Sequence, residues 1–170
     1  MRNSTNRIYS YIMKMYSLLF SIIFLFVVGC KANGSFIDPI KPEFETISFD
    51  VVEKKLLVEE KLPEHILKLI SNWFDKKIKI NGFDGDMIFK ISNYAEEISL
   101  IDDGKRVDIT LSFNLILSKP LLSKKQFIEG TVSAYGTLKG DFTIKEFETI
   151  ITNTQTDLVI RLSKDLKSKI

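Results

Sequence analysis

Cysteine is almost missing. The 170-residue chain has one, Cys30, so no disulfide can close within it and packing has to hold the fold. Histidine is as scarce, and His65 alone, with no second thiol, cannot assemble a zinc site of the usual nitrogen-and-sulfur kind. There is no Gly-rich phosphate loop, nucleophile elbow or HExxH pair, so an enzyme would have to work with carboxylates alone. The basic excess also dissolves on inspection. Three of the 24 Lys and Arg residues, Arg2, Arg7 and Lys14, precede Cys30 and no acid does, which leaves 21 basic against 22 acidic side chains from there on. A near-neutral chain without a Lys/Arg stripe lacks the footprint that displaces counterions from nucleic-acid phosphates. These absences argue against catalysis, metal binding and nucleic-acid partners.

What is present begins with an apolar run, Leu18 to Val28, broken only by Ser21. As a helix it would rise about 16 Å, half of the ~30 Å hydrocarbon core of a bilayer. Preceded by positive charge and closed by small residues, it reads as the h-region of a secretory signal and not as a spanning helix. Translation could start at Met1 or at Met13, which heads a compact Met13-Lys14-Met15 start; the sequence leaves both open.

The run ends in Val27-Val28-Gly29-Cys30, which resembles the lipobox of bacterial prolipoproteins. In that family the Cys thiol receives a diacylglyceryl group, cleavage falls between Gly and Cys, and the new amino terminus takes a further acyl chain such as palmitate. The resemblance implies cleavage between Gly29 and Cys30, with no cofactor beyond the covalent lipid on Cys30. Two or more chains anchor stably, since each buried methylene contributes ~0.8 kcal/mol. Lys31 follows, where lipoproteins kept in the inner membrane often carry Asp, so the resemblance favours the periplasmic face of the outer membrane over the inner membrane. Residues 1–29 are thus expected to be signal peptide and 30–43, with Gly34, Pro39 and Pro42, a lipidated flexible tether. Residues 44–170 are expected to form one periplasmic domain, large enough for its own core.

Within that domain, Ile47, Phe49 and Val51 alternate with polar residues between Phe44 and Val52 and predict a strand. Pro63 suits a helix start, and Ile66, Leu69, Ile70, Trp73 and Phe74 recur on one helical face. After the Asn81–Gly85 turn, alternation resumes at Met87, Phe89 and Ile91 and continues, with a bulge near Asn93, to a hairpin turn at Asp102–Lys105. Residues 107 to 117 alternate without a break, and Ile128, Val132, Ala134 and Leu138 mark a further strand. Thr143 and Glu146 have capping-box spacing ahead of the stripe Phe147, Ile151, Thr154, Leu158, Leu162 and Leu166. The order β-α-β-β-β-α predicts an α+β fold, a four-stranded antiparallel sheet with two helices packed on one face.

Few residues in this frame suggest chemistry. His65 could be a general base, but in the first turn of a helix it reads as a surface residue. Asp84 with Asp86, and Asp102 with Asp103, could bind a hard cation, yet neither pair has calcium-loop spacing, and no metal is expected. Trp73 and Phe74 could make a ligand platform; their spacing with Ile66 and Ile70 reads as core. One feature stands out. Thr110, Ser112, Asn114, Thr131, Ser133, Tyr135 and Thr137 fall on the polar side of two adjacent strands, a face rich in hydroxyls and poor in charge, suited to hydrogen-bonding a partner at small desolvation cost. An ordinary wet face is the competing reading.

Trp73, the Gly82-x-x-Gly85 turn, Phe89, Ile91, Arg106 and Asp108 together resemble a group of small uncharacterised alphaproteobacterial lipoproteins. At the level of element order the domain is also similar to accessory lipoproteins of envelope transport, such as the lipopolysaccharide-assembly lipoprotein and the auxiliary subunits of lipid ABC transporters. These resemblances imply a membrane-anchored, non-catalytic accessory or assembly factor that binds an envelope protein or lipid. The rival expectations are a carrier holding a hydrophobic ligand between helix and sheet, and a hydrolase with carboxylates converging around Asp84, Asp86 or Glu96.

Overall fold

Alternation and helical stripes become elements in chain order. The computed structural model describes residues 37–170, so Gly29, Cys30 and the signal lie outside the described residues. The elements are β1 (Ile47–Phe49), β2 (Glu53–Val58), α1 (Glu64–Lys77), β3 (Ile78–Ile80), β4 (Asp86–Ile101), β5 (Gly104–Lys119), a 3-10 turn at Pro120–Leu122, β6 (Lys124–Lys139) and α2 (Ile144–Ser168). β2, β4, β5 and β6 lie in that order in one sheet, while β1 and β3 form a separate parallel pair.

This corrects the expected sheet on two counts. There are six strands instead of four, and the main sheet is mixed, because β2 runs parallel to β4. A parallel pair needs a crossover of a dozen residues or more, which α1 and β3 provide. β2 escapes a reading by alternation because its inward positions, paired with Met87, Phe89 and Ile91, are Lys54, Leu56 and Val58. The inward Lys54 has a structural use. Its ammonium donates to the carbonyls of Phe74 at 2.8 Å, Asp75 at 3.2 Å and Ile78 at 2.6 Å, closing the carboxyl end of α1.

Both helices cover the apolar face of the main sheet. Through the centre Trp73 meets Phe89 edge to face and Phe89 stacks on Phe113, with ring centroids 5.5 Å and 5.6 Å apart, and the indole N–H donates to Ser163 Oγ at 3.1 Å. Among the described residues the core cluster runs from Ile47 to Leu166. α2 opens with the capping box expected at Thr143 and Glu146. It approaches β6 closely enough that a Cβ on Gly136 would stand 2.3 Å from Thr154 Oγ1.

Four consecutive polar residues of α2, Asn153 to Thr156, are buried, because the helix is hemmed in at that level. Thr154 and Thr156 donate to the carbonyls of Ile150 and Thr152 one turn back. Gln155 donates to Glu96. Asn153 accepts from Ile40 N at 2.8 Å and donates to Asp38 O at 3.0 Å, so part of the stretch expected as tether lies against the helix.

Candidate functional site

In a strand, successive side chains point to opposite faces. β5 buries Val107, Ile109, Leu111, Phe113 and Leu115 under the helices, so its even-numbered residues face the other way. β6 pairs with it in antiparallel register, Thr110 opposite Ser133, Ser112 opposite Thr131, Asp108 opposite Tyr135 and Arg106 opposite Thr137. The structure therefore brings together Thr110, Ser112, Asn114, Thr131, Ser133, Tyr135 and Thr137 on the helix-free face. The hydroxyls of Ser112 and Thr131 share a hydrogen bond of 2.9 Å.

β4 widens this face through the bulge expected near Asn93. Asn93 takes a left-handed conformation (φ 52°) and the β4–β5 register shifts between Ser92 and Ala95. The Glu60 carboxylate accepts from the amides of Asn93 and Tyr94, holding the bulge. Parity flips across it: Ser92 faces outward beside Ser112, whereas beyond the bulge Ala95 and Ser99 do so, beside Thr110 and Arg106. The result is a field of small polar and hydroxyl-bearing side chains across three strands.

Charge flanks the two central rows, with Glu97 opposite Asp108 on one side and Lys90 and Glu129 on either hand of Asn114 on the other. Arg106 donates to Asp108 through Nε at 2.7 Å and Nη2 at 2.6 Å, and its guanidinium lies 4.6 Å from the Tyr135 ring centre. This hydrogen bonding holds the Asp108 carboxyl below its ordinary pKa. At the other margin Lys90, opposite Asn114, pairs with Glu59. Asn114 Oδ1 is buried without a hydrogen-bond partner among the described residues. Farther along the same face the polarity ends in Ile88, Ile116 and Phe127, which are register neighbours.

The other candidates are not brought together. His65 sits on the exposed part of α1, 3.5 Å from Thr156 Oγ1, and partial burial followed by the charge of Lys68 lowers its pKa. Asp84 accepts from Leu121 N at 3.2 Å and serves a turn. Glu96 lies ten residues beyond Asp86 on the same strand, past the bulge, and accepts from the Tyr94 hydroxyl and from Gln155. At about 3.3 Å per residue the two carboxylates are roughly 30 Å apart, which removes the cleft a hydrolase would need there. Asp102 and Asp103 form the two-residue hairpin turn, and no three His, Cys, Asp or Glu converge on a metal position among the described residues. Trp73 and Phe74 are core. The helix–sheet interior, where a carried ligand would lie, is occupied by Trp73, Phe89 and Phe113.

No family profile matches the chain, and no curated protein matches it in sequence. Solved structures share part of its backbone course. A minor lipoprotein from Acinetobacter baumannii superposes with a TM-score of 0.46 at 12% identity, covering 71% of this chain and 92% of that one. The rare lipoprotein B from Shewanella oneidensis gives 0.44 at 10% identity, covering 69% and 95%, and an uncharacterised lipoprotein B from Nitrosomonas europaea 0.38 at 14%, covering 74% and 88%. Likeness of this degree carries no argument about function.

Proposed function

We propose that the chain is a lipoprotein anchored through Cys30 to the periplasmic face of the outer membrane. Its domain is a non-catalytic accessory that holds an envelope protein or lipid against the helix-free face of the sheet. The observation that carries this reading is the ladder of uncharged hydroxyls, Thr110 with Ser133 and Ser112 with Thr131, at the centre of an open face. Lys and Glu side chains on such a face would have to be desolvated at high cost, whereas hydroxyls exchange water for a partner's groups nearly evenly. The buried, unpaired Asn114 Oδ1 at its border adds support, since such a group calls for an explanation and a donor brought by a partner would supply one. The lipobox supplies the location, and Lys31 the choice of membrane.

A photo-reactive side chain placed at Ser133 in intact cells tests the face. A discrete adduct with one protein or one lipid class, missing when the probe is moved to Lys68 on the exposed side of α1, is the expected result. Only bulk lipid captured at both positions would contradict it.

A further inference from the structure

Two loops bring large apolar side chains to one end of the molecule. Phe83 is 86% exposed and Leu121, Leu122 and Phe127 are 75%, 57% and 59% exposed. They form one patch, because Asp84 accepts from Leu121 N at 3.2 Å and Gly85 fits against the Ser118 carbonyl, so the loop carrying Phe83 lies beside the β5–β6 turn. Nor is the turn loose. Ser123 adopts a left-handed conformation and its amide donates to Pro120 O at 3.0 Å, holding both leucines outward in a single 3-10 turn. Phe127 extends the patch down the sheet onto Ile116. Apolar surface held outward in this way marks an interaction site.

The chemistry of the rim selects the occupant. Lys119 and Lys124 face each other across the hairpin and Lys125 follows, its ammonium 5.1 Å from the Phe127 ring centre. Lys119 is neutralised by Asp50, but Lys124 and Lys125 enter no ion pair among the described residues. Of the nearby acids, Asp84 is committed to the Leu121 amide, and Asp86 lies two strands from Lys125, across Ser118. The patch is made of two exposed loop tips at a strand end with lysines beside them. An exposed apolar tip flanked by free cations matches the headgroup boundary of an anionic bilayer, where leucine and phenylalanine enter the acyl region and ammonium groups meet phosphates.

We infer that this tip, Phe83 with Leu121 and Leu122, inserts into the surface of an anionic bilayer as a membrane contact separate from Cys30. The tip is far from where the chain enters the domain. Asn153, which holds Ile40, is next to Thr154, and Thr154 packs on Gly136, thirteen residues along β6 from Ser123. That corresponds to about 40 Å at strand rise.

With Cys30→Ser, residues 30–170 keep the described core cluster from Ile47 to Leu166 and lack the lipid, so the tip is tested on its own. Flotation with phosphatidylcholine–phosphatidylglycerol vesicles should carry the domain up, and phosphatidylcholine vesicles alone should not. Leu121→Asn with Leu122→Asn should cut the bound fraction about tenfold or more at an unchanged melting temperature. Lys124→Glu with Lys125→Glu should remove the preference for phosphatidylglycerol. The inference falls if the domain floats with neither vesicle, if both vesicles bind it equally, or if the double Asn variant floats like the parent. It also falls if a photo-probe at Leu121 in cells captures a protein in place of lipid. None of these outcomes bears on the face around Ser133, which is tested separately.

Discussion

Replacing Gly136 by Ala probes the joint on which the helix-free face depends, the contact between α2 and β6. The added Cβ would stand 2.3 Å from Thr154 Oγ1 and 3.0 Å from Ile150 Cγ1, where ordinary contact begins near 3.4 Å. To make room, α2 must lift by about 1 Å or Thr154 must turn. Turning costs the 2.7 Å hydrogen bond to Ile150 O. Overpacking of this kind costs about 1–3 kcal/mol, offset by roughly 0.5 kcal/mol from the lower chain entropy of Ala when unfolded. The net loss should be ~1–2 kcal/mol, or about 3–8 °C for a domain of this size. Urea unfolding followed through the fluorescence of Trp73, the chain's one tryptophan, reads it directly, and the slope with denaturant should stay constant. Thr154→Ala in the same chain removes the atom in the way, so the double variant should lose about 1 kcal/mol less than the two single losses added. A Gly136→Ala variant as stable as the parent, or strictly additive losses, would refute this packing.

Three further outcomes follow from the helix ends. Thr143→Ala should cost about 1 kcal/mol by opening the capping box, seen as a lower melting temperature. The Glu146 carboxyl is held below its ordinary pKa by the backbone N–H and then the hydroxyl of Thr143, so its contribution is present above the unfolded value and lost as pH falls through the folded one. Glu146→Gln should therefore flatten stability against pH in the acid range and leave the slope near neutrality unchanged. Lys54→Met should destabilise by about 1–3 kcal/mol in urea unfolding, because three carbonyls at the end of α1 lose their donor.

Much of the fold was legible because burial on one face imposes a period. Val107 to Leu115 alternate strictly because helices cover one side of β5 only, and the stripe from Phe147 to Leu166 follows the sheet beneath α2. The candidate face was legible for the same reason, its hydroxyls being what remains at alternate positions of β5 and β6. What stayed hidden depends on neighbours distant in sequence. Lys54 points inward in β2 to reach carbonyls some twenty residues away, so the strand shows no apolar alternation. The pairing of β1 with β3 joins two three-residue segments thirty residues apart, a partnership no local pattern announces. Ala95 and Ser99 join Ser92 on the face only because the Asn93 bulge flips the parity of β4. Asn153 to Thr156 read as a mixed helical segment, and their burial comes from Ile40, Glu96 and the His65 side of α1 closing around them. The tip is missed for a simpler reason. Phe83, Leu121 and Leu122 belong to turns, and their being neighbours is set by one hydrogen bond between loops 37 residues apart.

The account rests most heavily on covalent attachment of lipid to Cys30. Mass spectrometry of the amino-terminal peptide, taken from the protein purified out of native membranes, tests that claim directly. The account predicts a peptide beginning at Cys30 and carrying a diacylglyceryl group with a further acyl chain on its amine. An unmodified Cys30, or a mature chain beginning elsewhere, would contradict it.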